Sequence, residues 1–275
     1  MKLRATNNQY GTNPSVIHAQ GLSQPRIHDY FTKLSTIFMA TDPPACYCPD
    51  LTVITTTNYQ TIGSLQRSLS HLRLPAEQWR LLGQGLEDFQ LHLKIPLVLA
   101  ALATINTPYV MFCDSHDVLV LDLDGLVEKF KSFDCEMVLN AEPFFWPGGH
   151  EFEKAGNPKP VPGLLNPSRE DELAKGHQNA YLNSGVWIAK TEFMRRLLPL
   201  YVNTPMDKYK FWHGQKLQTQ DQIHYRHAYR RWPEKIRLDH DCRMFQTLKE
   251  AEIWGDDKTL QHRFHLQTLS YDLRT

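Results

Sequence analysis

The chain has 275 residues and a mass of 32.0 kDa, enough for one large domain with a sizeable core. Hydrophobic residues make up 41% and charged residues 22%, a globular composition that excludes a disordered chain. Lys and Arg total 30, as do Asp and Glu, and a net charge of zero excludes a general nucleic-acid binder, which needs a basic surface.

Five cysteines (Cys46, Cys48, Cys113, Cys135 and Cys242) are too few and odd in number for a disulfide framework, and Cys46-x-Cys48 has no second pair at zinc spacing. Met1 to Gln20 lacks the apolar stretch of a secretory signal. The long apolar run Ile95 to Cys113 contains Pro96, Asn106 and Pro108 and abuts Asp114, so a buried helix followed by a buried strand accounts for it better than a membrane span. The expectation is a cytoplasmic protein without an integral membrane segment.

In chain order, residues 1–25 are polar and turn-rich apart from Ser15-Val16-Ile17-His18. A helix is expected over Ile27 to Met39, then a turn-prone linker over 41–50 with Pro43, Pro44 and Pro49. Leu51 to Thr56 is rich in β-branched residues and reads as a buried strand. A helix over Ser64 to Leu72, a strand Trp79 to Leu82, a helix Leu91 to Thr104 and a strand Tyr109 to Cys113 follow. Leu123, Leu126, Val127 and Phe130 fall at helical spacing, and Glu136 to Asn140 forms a fourth strand. Strands alternating with helices predict an α/β fold with a mixed, mainly parallel sheet flanked by helices. Residues 144–180 are rich in Pro and Gly and too long for a mere connector, which suggests a lid or binding loop. Regular structure resumes with a strand Gly185 to Ala189, then a helix with Phe193, Met194, Leu197, Leu198 and Tyr201 on one face.

The strongest chemical signal is Phe112-Cys113-Asp114-Ser115-His116-Asp117, where an apolar strand runs into two carboxylates three residues apart. Ligands of open parallel sheets bind at the carboxyl ends of strands, where a turn can aim both carboxylates at one hard cation such as Mn²⁺ or Mg²⁺. The competing reading is one aspartate capping the next segment and the other solvated. Asn183-Ser184-Gly185 stands at the expected mouth of a buried strand, where glycine permits close approach of a ligand, although a simple turn explains it as well. Asp221, in Thr219-Gln220-Asp221-Gln222, falls at an expected helix N-terminus, where it could serve only as a favourable first-turn charge.

Taken together, these segments resemble the glycosyltransferase domain of procollagen lysyl hydroxylases and related collagen-modifying glycosyltransferases. The matching text is FCDSHD (Phe112 to Asp117), NAEPFFWP (Asn140 to Pro147), YLNSGVWI (Tyr181 to Ile188), Gln220-Asp221-Gln222 and IRLDHDCRMFQ (Ile236 to Gln246), in order and with agreeing spacing from about Leu51 to Trp254. The resemblance implies a single GT-A-like, Rossmann-type domain, a UDP-sugar donor, Mn²⁺ as cofactor and a hydroxyl acceptor on a glycan, peptide or small molecule. The family's terminal strand, aliphatic-aliphatic-His-x-x-Gly, supplies its third metal ligand. Here that text occurs at the other end, as Val16-Ile17-His18-Ala19-Gln20-Gly21. A circular permutation accounts for this: residues 1–40 would be the family's last segment, 41–50 the linker and 51–275 the nucleotide- and acceptor-binding core. The strand would then add beside the sheet and bring His18 to the metal. The alternative makes residues 1–49 an unrelated arm and takes the ligand from His262 or His265.

On this resemblance, Asp114, Asp117 and His18 hold the metal. Thr56, Lys94, His116, Trp146 and Gly21 serve the donor, with His116 standing where lysyl hydroxylases carry a tyrosine against the uracil. Asn183 and Asp221 face the sugar, Asp221 being the carboxylate nearest the anomeric carbon. Two other classes stay open: a metal-dependent phosphohydrolase using the same aspartates, and a non-catalytic sugar-nucleotide-binding module. The family's iron-dependent hydroxylase region has no counterpart, so lysine hydroxylation is not expected.

Overall fold

A computed structural model describes residues 2–20, 25–143, 179–202, 221–248, 251–252, 262–264 and 267–274, the last three segments as backbone only. In chain order they form β1 (Lys2–Asn7), β2 (Val16–His18), α1 (Pro25–Met39), β3 (Leu51–Thr56), α2 (Ser64–His71), β4 (Trp79–Leu82), α3 (Lys94–Leu102), β5 (Tyr109–Cys113), β6 (Val118–Val120), α4 (Leu126–Lys131) and β7 (Met137–Glu142). Then come β8 (Tyr181–Lys190), α5 (Thr191–Leu197), α6 (Pro199–Val202), α7 (Gln222–Arg231), β9 (Ile236–Asp239), β10 (Phe245–Thr247), β11 (Ala251–Glu252), β12 (His262–Phe264) and β13 (Gln267–Arg274).

The apolar runs expected to be buried strands form a six-stranded sheet in the order β4-β3-β5-β8-β7-β9. Neighbours are parallel except around β8, which runs antiparallel to both β5 and β7. Alternation along each strand divides the side chains between two layers. Val53, Met111, Cys113, Val138, Val186 and Ile188 face a core with α1, α2 and α4. Ile54, Val110, Phe112, Leu139, Trp187 and Ala189 face the other, with α3, α5, α6 and α7. On α1, Ile27, Tyr30, Phe31, Leu34 and Phe38 are buried at the spacing of one helical face. On the opposite layer Trp187, fully buried, stacks on Phe112 with ring centroids 5.7 Å apart. The arrangement is a single mixed α/β domain. Among the described residues, no helix is long and apolar enough to cross a membrane.

Several expectations are corrected in detail. The helix expected over 91–104 begins as a 3₁₀ turn, Leu91–Leu93, and ends at Leu102. The helix after β8 is interrupted at Leu198, where Pro199 lacks the N–H that would continue it. Asn183-Ser184-Gly185 lies within β8, not at its mouth, because the strand begins at Tyr181 and is buried almost throughout. A register shift at Leu139/Asn140 lets β7 keep pairing with this polar stretch, so Asn140, Ala141 and Glu142 oppose Asn183, Leu182 and Tyr181 beyond the end of β5.

The N-terminal segment is built into the fold. β1 pairs antiparallel with β13. β2 lies outside the main sheet and forms the centre of a three-stranded sheet, parallel to β10 and antiparallel to β6. Its partner β6 starts directly after Asp117, where the chain has turned away from β5, and that departure gives β2 an edge of its own.

The turn feeding β10 is held by one buried carboxylate. Asp239 accepts N–H bonds from Arg243 (2.8 Å), Met244 (2.7 Å) and Phe245 (2.8 Å). Burial pushes its pKa up to about 6 against the pull of these donors. Asp239→Ala would strand the three donors and is expected to lower the unfolding free energy by roughly 2–4 kcal/mol, read from urea denaturation.

Candidate metal centre

The carboxyl ends of β3 and β5, the N-terminal half of β8 and the end of β7 meet at one edge of the main sheet. Asp114 continues β5 by one residue, its N–H bonded to Gly185 O at 2.8 Å. The turn that follows is anchored on α2: Ser115 O accepts the Leu65 N–H at 3.1 Å, and Ser115 Oγ donates to Gln66 Oε1 at 3.3 Å. Gly63 lies against this turn so closely that a Cβ there would overlap Ser115 O. Asp117 O in turn accepts the Ala19 N–H at 2.7 Å, which fixes the end of β2 against the turn.

This clamp brings His18 to the two aspartates. His18 Nε2 is 3.5 Å from Asp117 Oδ2 and 3.9 Å from Asp114 Oδ2. His18, Asp114 and Asp117 each offer one ligand atom within 4.8 Å of the others, and the group could hold a metal ion. Two observations fit that role. His18 Nε2 is buried and, among the described residues, faces only the carboxylates, with Asp117 Oδ2 at 3.5 Å, so a cation or proton is needed in the space between them. The other is the backbone of β8, which has a glycine where the ligands crowd it: a Cβ on Gly185 would lie 2.7 Å from Asp114 Oδ2 and 2.9 Å from His18 Nε2, and would overlap the imidazole Cε1. The close approach expected at Gly185 is therefore to the ligand side chains.

The charges form a compact array. Lys94, buried at the start of α3, donates to Asp114 Oδ1 at 2.6 Å. Burial opposes its charge, but Asp114, Asp221 and Asp117 outweigh burial and hold the ammonium well above its ordinary pKa. For His18 burial also favours the neutral ring, yet Asp117 and Asp114 raise its pKa above the ordinary value. Asp117 is correspondingly lowered, burial being overcome by His18 and Lys94.

Asp221 precedes α7 and is buried, but its carboxylate makes no capping bond to its own helix. It faces Lys94 and accepts from the Ser184 side chain, and burial raises its pKa despite Lys94. It stands at the N-terminus of the helix, as expected, with Lys94 as its largest charged neighbour. Gln222 ties the same helix to β8, its Oε1 accepting from Ser184 N at 3.1 Å, and its Nε2 reaches Glu142 Oε1 at 3.3 Å.

The remaining expected residues are distributed around this core. Thr56 ends β3, buried, its hydroxyl without a hydrogen-bond partner among the described residues. His116 projects from the turn between the aspartates and packs edge-to-face on Tyr59, with ring centroids 4.4 Å apart. Asn183 is buried and spends its carbonyl on the Gly185 N–H at 2.9 Å, so it braces β8. Gly21 and Trp146, the loop 144–178 and His265 lie outside the described residues. His262 is on β12, in the sheet that contains β1. Tyr59, 63% exposed beside His116, is a site-edge residue that the sequence reading missed; an exposed aromatic just after a strand's carboxyl end was the available signal. Asn140, 3.4 Å from His18 Nδ1, was missed as well.

No protein-family model matches the chain, and no curated protein matches it either.

Proposed function

We propose that the chain is a metal-dependent glycosyltransferase of GT-A type, a circularly permuted relative of the lysyl hydroxylase glycosyltransferase domain, which transfers a hexose from a UDP-sugar to a hydroxyl acceptor. The observation that carries this reading is the meeting of His18, from the segment before the core, with Asp114 and Asp117 of the core at the carboxyl edge of the sheet. A histidine picked out because it matches a motif the family places last lies beside the aspartates the motif serves.

His18, Asp114 and Asp117 would hold Mn²⁺, the imidazole favouring it over Mg²⁺ relative to an all-oxygen site. When bound, the ion supplies positive charge against that developing on the departing diphosphate. Two carboxylates alone would repel a diphosphate, and Lys94, paired to Asp114, adds a fixed positive charge at that point. Asp221, beside Lys94 and Ser184 of β8, serves the anomeric centre. It acts as general base if the reaction inverts configuration, and as electrostatic stabiliser if it retains it. Thr56 has a spare hydroxyl for the nucleoside, and the His116–Tyr59 pair offers an aromatic surface for the base.

The test is UDP release from a panel of UDP-hexoses. Release should require Mn²⁺ and stop in EDTA, and Asp114→Asn and Asp117→Asn should lose it with their thermal melting retained. Liberation of inorganic phosphate in place of UDP would favour a phosphohydrolase. Binding without turnover would favour a binding module, and full activity in EDTA would overturn the metal assignment.

A further inference from the structure

We infer that Asn140 is a positioning residue that fixes His18 as the Nδ1–H tautomer and so directs the lone pair of Nε2 toward Asp114 and Asp117. The inference rests on the metal reading of the site and adds a residue to it from β7, a strand that contributes none of the three candidate ligands.

The geometry leaves His18 few partners. Its ring is buried, Nε2 faces the aspartates, and Nδ1 faces the side-chain amide of Asn140 at 3.4 Å. Asn140 is itself fully buried, and its Oδ1 has no hydrogen-bond partner among the described residues. The two ends of an amide have nearly the same shape but opposite hydrogen-bond character. With Nδ2 donating, Nδ1 must be bare; the ring proton then sits on Nε2, and that nitrogen cannot ligate. A half-turn of the amide puts the orphaned Oδ1 on Nδ1, which becomes the N–H donor. Nε2 is then left with its lone pair pointing at the carboxylates.

Only the second arrangement serves every state the site requires. An imidazolium carries N–H on both nitrogens and needs an acceptor at Nδ1. A ring ligating through Nε2 also carries its proton on Nδ1. Metal-bound histidines commonly donate the second ring N–H to a carbonyl or carboxylate, which fixes the tautomer and the ring plane. Asn140 holds its place through the register shift in β7, which keeps it paired with Asn183 of β8. The same strand thus supports both Gly185, through Asn183, and the imidazole.

The experiment needs no turnover. Two-bond ¹H–¹⁵N spectra of the labelled protein at alkaline pH, where imidazole is neutral, report the tautomer of His18, and calorimetry with Mn²⁺ reports affinity. Wild type should show the Nδ1–H form. Asn140→Ala should shift His18 toward Nε2–H and weaken Mn²⁺ binding by roughly 10- to 100-fold. Asn140→Asp retains an acceptor and should keep both the tautomer and most of the affinity. An Nε2–H form in wild type overturns the proposal without any variant. So does a wild type that binds Mn²⁺ no better than Asn140→Ala does. A wild type that binds no Mn²⁺ overturns the metal reading itself and this role with it.

Discussion

Gly185→Ala is expected to weaken Mn²⁺ binding by roughly 10- to 100-fold, with a smaller effect on the fold. The added methyl would stand 2.7 Å from Asp114 Oδ2 and 2.9 Å from His18 Nε2, and would overlap the imidazole. Neither partner can yield freely. Asp114 is held by Lys94 at 2.6 Å and by its own N–H on Gly185 O at 2.8 Å. His18 is locked by β2, whose neighbours β6 and β10 bracket it on both sides. Overpacking of a rigid site costs about 1–3 kcal/mol, and here that strain falls on two of the three ligands. Calorimetric Mn²⁺ titration together with a thermal melt separates loss of the site from loss of the fold. Unchanged affinity would mean that the ligands do not converge where the backbone places them.

The second large effect is expected at Asp221. Asp221→Asn should reduce turnover by roughly 100- to 1,000-fold while UDP affinity changes little. The isosteric amide keeps an acceptor for Ser184 but removes the negative charge that faces Lys94 and, on the proposed function, the anomeric centre. A charge needed mainly as the anomeric carbon becomes electron-poor contributes to the transition state and hardly to ground-state binding. Comparing kcat with the UDP dissociation constant makes the distinction. If both fall in proportion, Asp221 only supports the nucleotide pocket through Lys94.

What could be read from the sequence follows from how each signal is written. β3 and β5 are buried on both faces, so β3 appears as a run of β-branched residues and β5 as an apolar run. The carboxylates at the end of β5 could be read for the same reason, since polarity changes abruptly at Cys113–Asp114. β8 was shortened because Asn183-Ser184-Gly185 has the composition of a turn. Its polar atoms are satisfied by Gln222 and by its own backbone, partners that lie far off in the sequence or are hidden by it. β2, β6 and β10 have only three residues each, too few for a periodic pattern, and β2 was noticed through a motif match and not through its propensity. Asn140 was quoted within a matching segment but given no role. Nothing local says that a residue on β7 will meet a histidine from β2; only the closed fold puts Nδ1 and the amide together.

The central position of β2 in its small sheet also bears on how the protein is made. Val16 pairs with Val120 on one side and with Phe245 on the other, so β2 cannot complete its pairing until a segment far along the chain is in place. Such long-range closure is slow relative to the local helix and strand contacts of the main sheet. The Rossmann-like body is therefore expected to condense first, with Asp114 and Asp117 already displayed and His18 still unanchored. If the site takes an ion, capture then becomes a late event in folding, coupled to docking of β10 on β2, and the chain would carry a weak two-carboxylate site until that pairing forms.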